Sequence, residues 1–220
     1  MRLLTLKSAL ICTALTFALS VAGAQAATDT KHPAKSSKTA HSSKSSKSSK
    51  TSKTSKTAPA KPSGQKVSML GGKFVFYLPK EYVKGPMEEI DDKAKAAGVT
   101  GSLYMNTPAK RVVIITETPL PDGKNVPSND TETLDNIIAE TLVQQQSSYR
   151  DFSKLSEKKV VRKGVGLRQL DISGSVDGGK VLSTTVAAAS GNRTAMVNVI
   201  SLAKDAKAHA LVVKGVTGSK

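Results

Sequence analysis

Residues 158–202 read KKVVRKGVGLRQLDISGSVDGGKVLSTTVAAASGNRTAMVNVISL, and the parsing of this stretch decides the fold. Four runs, KKVVRK, GLRQLDIS, KVLSTTVAA and TAMVNVISL, are rich in β-branched and aliphatic residues. Asp177-Gly178-Gly179 and Ser190-Gly191-Asn192 supply reversals between the later pairs. Runs of this length separated by turn residues predict four consecutive strands in an antiparallel meander.

Upstream, RVVIITE contains the uninterrupted apolar run Val112 to Ile115. Consecutive apolar positions require burial on both faces, so this segment is the strongest central-strand candidate, with SLYMN before it as a neighbour. GKFVFYLP alternates Phe74, Phe76 and Leu78 against Val75 and Tyr77 and stops at Pro79, which predicts an early, partly exposed strand. Between these, GPMEEIDDKAKAAG has Pro86 at a first helical position and a rough apolar face of Met87, Ile90, Ala94 and Ala97 before Gly98. The strongest helix follows the polar loop PLPDGKNVPSND. Leu134, Ile137, Ile138 and Leu142 form its buried stripe, with Asn129 expected as cap and Glu132 completing a capping-box-like contact. AKDAKAHALVV predicts a short terminal helix packed through Leu211, Val212 and Val213, with Gly215 and Gly218 fraying its end. Strands, helix, strands and helix in this order predict an α+β sandwich with a largely antiparallel central sheet and flanking helices.

The composition ahead of this region is of another kind. Arg2 and Lys7 precede an apolar run from Ala9 to about Ala22, and Ala24-Gln25-Ala26 follows. This is the pattern of a secretory signal, residues 1–26, with cleavage after Ala26. The single cysteine, Cys12, lies within it, so a mature chain has no thiol for disulfides or metal, and Cys12 sits too near the start of the apolar core for lipid attachment. Residues 27–66 hold ten lysines against Asp29, no aromatic residue and almost no large aliphatic one. Such a segment has too little to bury to offset its chain entropy, and it is expected to be disordered. Within it, Lys35, Lys38, Lys44, Lys47, Lys50, Lys53 and Lys56 recur every third residue, with His41 in one step. These lysines are the candidate contacts to an anionic surface.

Charge follows the same division. Of the formal net charge of +16, the signal and the tract account for all but +5, so residues 67–220 are only moderately basic. Inside a cell a lysine tail would point to nucleic acid through counterion release. Export argues against that partner and for anionic lipid, lipopolysaccharide or wall polymer. The alternative is an inert, solvated spacer.

The blocks LGGKFVFYLP, RVVIIT, NIIAETLVQQQSSYRDF, GVGLRQLDIS and SGNRTAMVNVIS, in this order, resemble the DcrB-like family. These are envelope proteins with a DUF1795 domain and a Mog1/PsbP-like fold. The resemblance spans residues 67 to about 202. It implies a periplasmic or inner-membrane-associated accessory protein, with a role in envelope or lipoprotein homeostasis and in phage adsorption, and it supplies no catalytic template. Many relatives carry a lipid-attachment cysteine where this chain has its lysine tract.

The residues themselves point to no reaction, no cofactor and no metal. His209 stands in an alanine-rich segment without a second histidine or a cysteine nearby, and reads as a surface or helix-cap residue. Glu88, Glu89, Asp91 and Asp92 lack the spacing of a calcium loop and read as a solvated helix face. Gly164-Val165-Gly166 and Gly178-Gly179 read as turns rather than phosphate loops. Ser173 near Asp171 has no recognisable nucleophile elbow, which leaves a noncanonical hydrolase as the enzymatic alternative. Tyr77, Tyr82 and Tyr104 are the candidate contacts to an envelope protein, with ordinary sheet packing as the competing role. An open, mostly apolar pocket with converging polar groups would favour ligand binding or an enzyme, and a closed core with only a broad polar face would favour protein interaction.

Overall fold

The computed structural model describes residues 64–87 and 90–219. The signal, the lysine tract and the acidic pair Glu88 and Glu89 lie outside the described residues.

The four-strand meander forms as β6 (Arg150–Arg162), β7 (Val165–Val176), β8 (Gly179–Ser190) and β9 (Arg193–Leu202). Its hairpins are tight because two-residue turns need positive φ at their centres. Asp177 and Gly178 provide φ of 49° and 77° between β7 and β8. Upstream come β1 (Gln65–Met69), β2 (Phe74–Leu78), β3 (Val83–Gly85), β4 (Thr100–Asn106) and β5 (Arg111–Pro119). Strands β1 and β2 pair as a separate hairpin, while the other seven make one antiparallel sheet in the order β3-β4-β5-β9-β8-β7-β6. Among the described residues the α-helices are α1 (Asp92–Ala96), α2 (Thr131–Ser148) and α3 (Ala206–Thr217). The chain leaves β5 in mid-sheet and crosses one face through α2 to the far edge at β6. The meander then refills the gap until β9 pairs with β5.

This is the expected α+β sandwich. On one face of the sheet, Val113, Ile115, Leu167, Val186, Val197 and Val199 pack with Phe74, Phe76 and Leu78 of the hairpin and with Val212, Val213 and Val216 of α3. On the other, Ile114, Leu170, Ile172 and Ile200 pack with Ile137 and Ile138 of α2. The alternation of adjacent residues, such as Val113 and Ile114, between the two clusters is the period-2 geometry of a strand buried on both sides.

Several local expectations need correction. Gln65 and Lys66, expected in the tract, belong to β1, whose Val67 and Met69 point into the core. Strand β6 begins at Arg150 rather than Lys158; two register irregularities and mostly exposed side chains hid it from the periodicity. The helix before β4 spans only Asp92–Ala96 and is capped by Asp91, whose carboxylate accepts the Ala94 N–H at 2.7 Å. Helix α2 is capped by Asp130, not Asn129, through the Thr133 N–H at 3.0 Å. Asp130 is held below the ordinary carboxylate range by its hydrogen bonds from Thr133. The terminal helix does not fray at Gly215: it runs to Thr217, with Val216 and Thr217 fully buried and Leu211 exposed. Gly218 is its left-handed C-cap (φ 70°), donating its N–H to the Lys214 carbonyl. The Arg162 guanidinium donates to the Gly215 and Val216 carbonyls at 2.7 and 2.6 Å, so a cationic fork satisfies the helix's last turn.

Candidate functional site

The side chains that α3 presents to the meander determine the site. Its sequence AKAHALVVKGVT places Val212, Val213 and Val216 in the core but turns the small Ala206 and Ala210 toward β6. Small residues leave space where larger ones would fill it. The result is an open groove of about 540 Å³ between α3 and strands β6, β7 and β8.

Strand register sets the order of residues along this groove. Leu182 lies opposite Ser173; then Thr184, Asp171 and Ser156 share one row; then Gln169 and Lys158; then Leu167 and Val160. Helix α3 runs the same way, with His209 over Thr184 and its last turn at Arg162. One end of the groove is therefore formed by Leu155, Leu182, Ala206 and Ala210, and the other by Val160, Val213, Lys158 and Lys214.

Polar groups converge on the floor. Asp171 accepts from Ser156 Oγ at 2.5 Å, from Thr184 Oγ1 at 2.7 Å and from Gln169 Nε2 at 2.9 and 2.8 Å, and Lys158 Nζ lies 3.5 Å away. Burial pushes the Asp171 carboxyl up, but these donors outweigh it and hold the group below the ordinary carboxylate range. Thr184 Oγ1 also lies 2.8 Å from His209 Nε2, and His209 Nδ1 lies 2.8 Å from Ser201 Oγ. Thr184 has one hydroxyl proton and gives it to Asp171, so Nε2 carries the imidazole proton and donates to Thr184. In neutral His209 the other nitrogen then accepts from Ser201. Burial, the largest influence, pushes His209 below its ordinary value; Asp171 opposes this and Arg111 adds to it.

His209 is thus a buried core residue, 6% exposed, and not the surface or cap residue its sequence context predicts. Every hydroxyl and imidazole proton in the relay Asp171–Thr184–His209–Ser201 is used internally. Ser201 is buried and does not line the groove, while Thr184 lies on its floor with its hydroxyl proton committed to Asp171. Ser173 faces Ser153 across the β6–β7 ladder, and the groups that contact Asp171 are Ser156, Gln169, Thr184 and Lys158. Among the described residues no three His, Cys, Asp or Glu side chains converge as metal ligands, and no helix is long and apolar enough to cross a membrane.

Of the three tyrosines singled out by sequence, Tyr82 and Tyr104 lie in the core and Tyr77 alone is exposed, so the three do not form one patch. Lys35, Lys38, Lys44, Lys47, Lys50, Lys53 and Lys56 lie outside the described residues. The relay residues escaped sequence reasoning because positions 171, 184, 201 and 209 are brought together only by register. The available signal was the spacing of Gln169, Asp171 and Ser173 at every second position along one strand.

The chain matches no protein-family model and no curated protein. Solved structures with a similar course exist at low identity. Cyanobacterial PsbP (CyanoP) from Synechocystis sp. PCC 6803 is 9% identical with a TM-score of 0.48, covering 73% of this chain and 96% of its own. LpqN, involved in cell envelope biogenesis of Mycobacterium tuberculosis, is 13% identical with a TM-score of 0.41, over 66% of this chain and 79% of its own. PA94, a protein of unknown function from Pseudomonas aeruginosa, is 10% identical with a TM-score of 0.38, over 70% and 92%.

Proposed function

We propose that this is a non-enzymatic, exported accessory protein of the cell envelope that binds a ligand in the groove between α3 and β6–β8. The observation that carries the reading is the contrast between an open groove and a closed relay: the cavity has room for a ligand, while the polar groups on its floor are all engaged with one another. A carboxylate held below its usual range is a weak general base at neutral pH, and His209 has no free nitrogen to offer, which disfavours a noncanonical hydrolase.

In this reading residues 1–26 are removed on export and the mature protein is periplasmic, peripherally associated with the inner membrane or envelope. Its lysine tract associates weakly with anionic lipid, lipopolysaccharide or wall polymer. The resemblance to DcrB-like proteins supports a part in envelope or lipoprotein homeostasis, with phage adsorption as a further role.

Two measurements test the proposal. Native mass spectrometry of protein recovered from its own envelope should show a bound small molecule that disappears in Ala210→Trp, a substitution at an exposed position that fills the groove. Identical spectra from both proteins would overturn the groove reading. For the tract, replacing Lys44, Lys47, Lys50, Lys53 and Lys56 by glutamine should weaken association with anionic vesicles at low salt, whereas shuffling the tract should not, because screened charge rather than lysine order sets the attraction. Equal, salt-insensitive binding by all forms would remove the tether from the proposal.

A further inference from the structure

We infer that the groove takes a single-chain anionic amphiphile, with its hydrocarbon tail along Leu155, Leu182, Ala206 and Ala210 and its negative head group between Lys158 and Lys214. The inference rests on the groove being a binding site and adds the class of its ligand. Three observations lead to it.

The first is the polarity of the groove along its length. Strand register places Leu182 at one end and Val160 at the other, and α3 follows from Ala206 to Lys214. One end is thus hydrocarbon and the other carries two ammonium groups. A ligand that satisfies both is itself amphiphilic, and its charge is negative.

The second is the state of the lysines. Lys214 is exposed and has no ion-pair partner among the described residues. The Lys158 side chain is 58% exposed, and its one carboxylate contact, to Asp171, is long at 3.5 Å. An ammonium has three donors, so Lys158 can meet an anionic head group while keeping that contact.

The third is what the floor refuses. Asp171 would be the natural seat for a cationic ligand, but Ser156, Gln169, Thr184 and Lys158 already occupy its oxygens. An incoming ammonium would have to displace these donors and would also meet Lys158 and Lys214. The groove's 540 Å³ falls within the range of about 300–1,000 Å³ usual for small-ligand sites.

The test uses the full mature chain with Lys44, Lys47, Lys50, Lys53 and Lys56 changed to glutamine, so that the tract does not collect anions. Dodecanoate, dodecyl maltoside and dodecyltrimethylammonium are titrated below their micelle concentrations while the amide resonances of Leu155, Leu182 and Ala210 are followed. Dodecanoate should shift these resonances saturably and bind at least about tenfold more tightly than the cationic probe, a margin of about 1.4 kcal/mol. Lys158→Gln with Lys214→Gln should abolish that preference while dodecyl maltoside behaves as before, and Ala210→Trp should remove the shifts with every probe. Equal affinity for the three probes, or a preference unchanged in the double glutamine variant, overturns the anionic head group while leaving the groove as a site. If none of the probes shifts the groove resonances, the amphiphile inference falls. If the native ligand is nonetheless lost in Ala210→Trp, the groove reading survives that failure.

Discussion

The two faces of the central sheet are covered by helices that solve the same problem differently. Helix α2 lays Leu134, Ile137 and Ile138 against β7 and β8 and leaves a cavity of only about 20 Å³ beside Gln145 and Thr185. Helix α3 buries three valines but turns alanines toward β6 and leaves the groove of about 540 Å³. The polar residues divide in the opposite sense. Beneath α3 the relay from Asp171 to Ser201 is complete, whereas on the α2 side Gln145 donates its Nε2 to Thr185 but leaves its buried Oε1 without a hydrogen-bond partner. Burial pushes the Tyr149 phenol up to about 12. The comparison teaches that both helices combine apolar packing with directed bonds, α2 through Gln145–Thr185 and Asp135–Arg168 and α3 through His209 and Arg162, and that they differ in the room they leave. Room for a ligand is found beneath α3, where Ala206 and Ala210 rather than bulkier side chains face β6.

The largest effect should come from removing buried bulk. Leu134→Ala, at a fully buried position, should cost about 3 kcal/mol through lost transfer energy and an unfilled cavity, read from denaturant unfolding. A cost below about 1 kcal/mol would mean that α2 is not held by packing.

Thr184→Val keeps the shape and removes the central hydroxyl of the relay. It leaves His209 Nε2–H without an acceptor and Asp171 without one donor, and should cost about 2 kcal/mol. The same relay makes stability depend on pH. His209 is pushed below 6.5 in the folded protein, so only the unfolded chain takes up this proton as pH first falls past that value. The stability that His209 contributes is therefore complete above about pH 6.5 and declines as pH falls toward its folded value. Asp171, also lowered, adds its own loss only below its ordinary value of 3.8. His209→Gln should flatten the decline between pH 7 and 5 in thermal unfolding; an unchanged profile would place the titrating group elsewhere.

Arg162→Gln tests the other directed attachment of α3. Losing the guanidinium bonds to the Gly215 and Val216 carbonyls should cost about 1 kcal/mol and speed amide exchange in the last turn of α3, leaving α2 unchanged. Exchange that rises equally in both helices would show that the two faces unfold as one.

The smallest effect belongs to the groove itself. Ala210→Leu adds apolar volume to a space that is already open, so stability should change by no more than about 0.5 kcal/mol. A loss of several times that size would mean that the groove is part of the packed core.

Much of the architecture was legible because strands and helices announce themselves by period. Phe74, Phe76 and Leu78 point inward as their alternation requires, the Val112–Ile115 run lies in mid-sheet with Val113 and Ile114 on opposite faces, and the Leu134, Ile137 and Ile138 stripe faces the sheet. What failed did so for local reasons. Strand β6 is an exposed edge with bulges, so it has no clean alternation over its first half. Asp130 rather than Asn129 caps α2, because several candidate caps adjoin one another and backbone geometry chooses between them. Gly218 ends α3 as a cap and not by fraying, a difference that depends on the left-handed conformation it adopts.

The sequence by itself determined the central strand, most of the antiparallel meander, the long helix and the concentration of charge in residues 27–66, because each depends on neighbours along the chain. Only the tertiary structure decided that Asp171, Thr184, Ser201 and His209 form one relay and that Lys158 and Lys214 flank one end of an apolar groove. These residues belong to β6, β7, β8, β9 and α3. Their meeting depends on strand register and on where α3 settles across the sheet, and no local period encodes either.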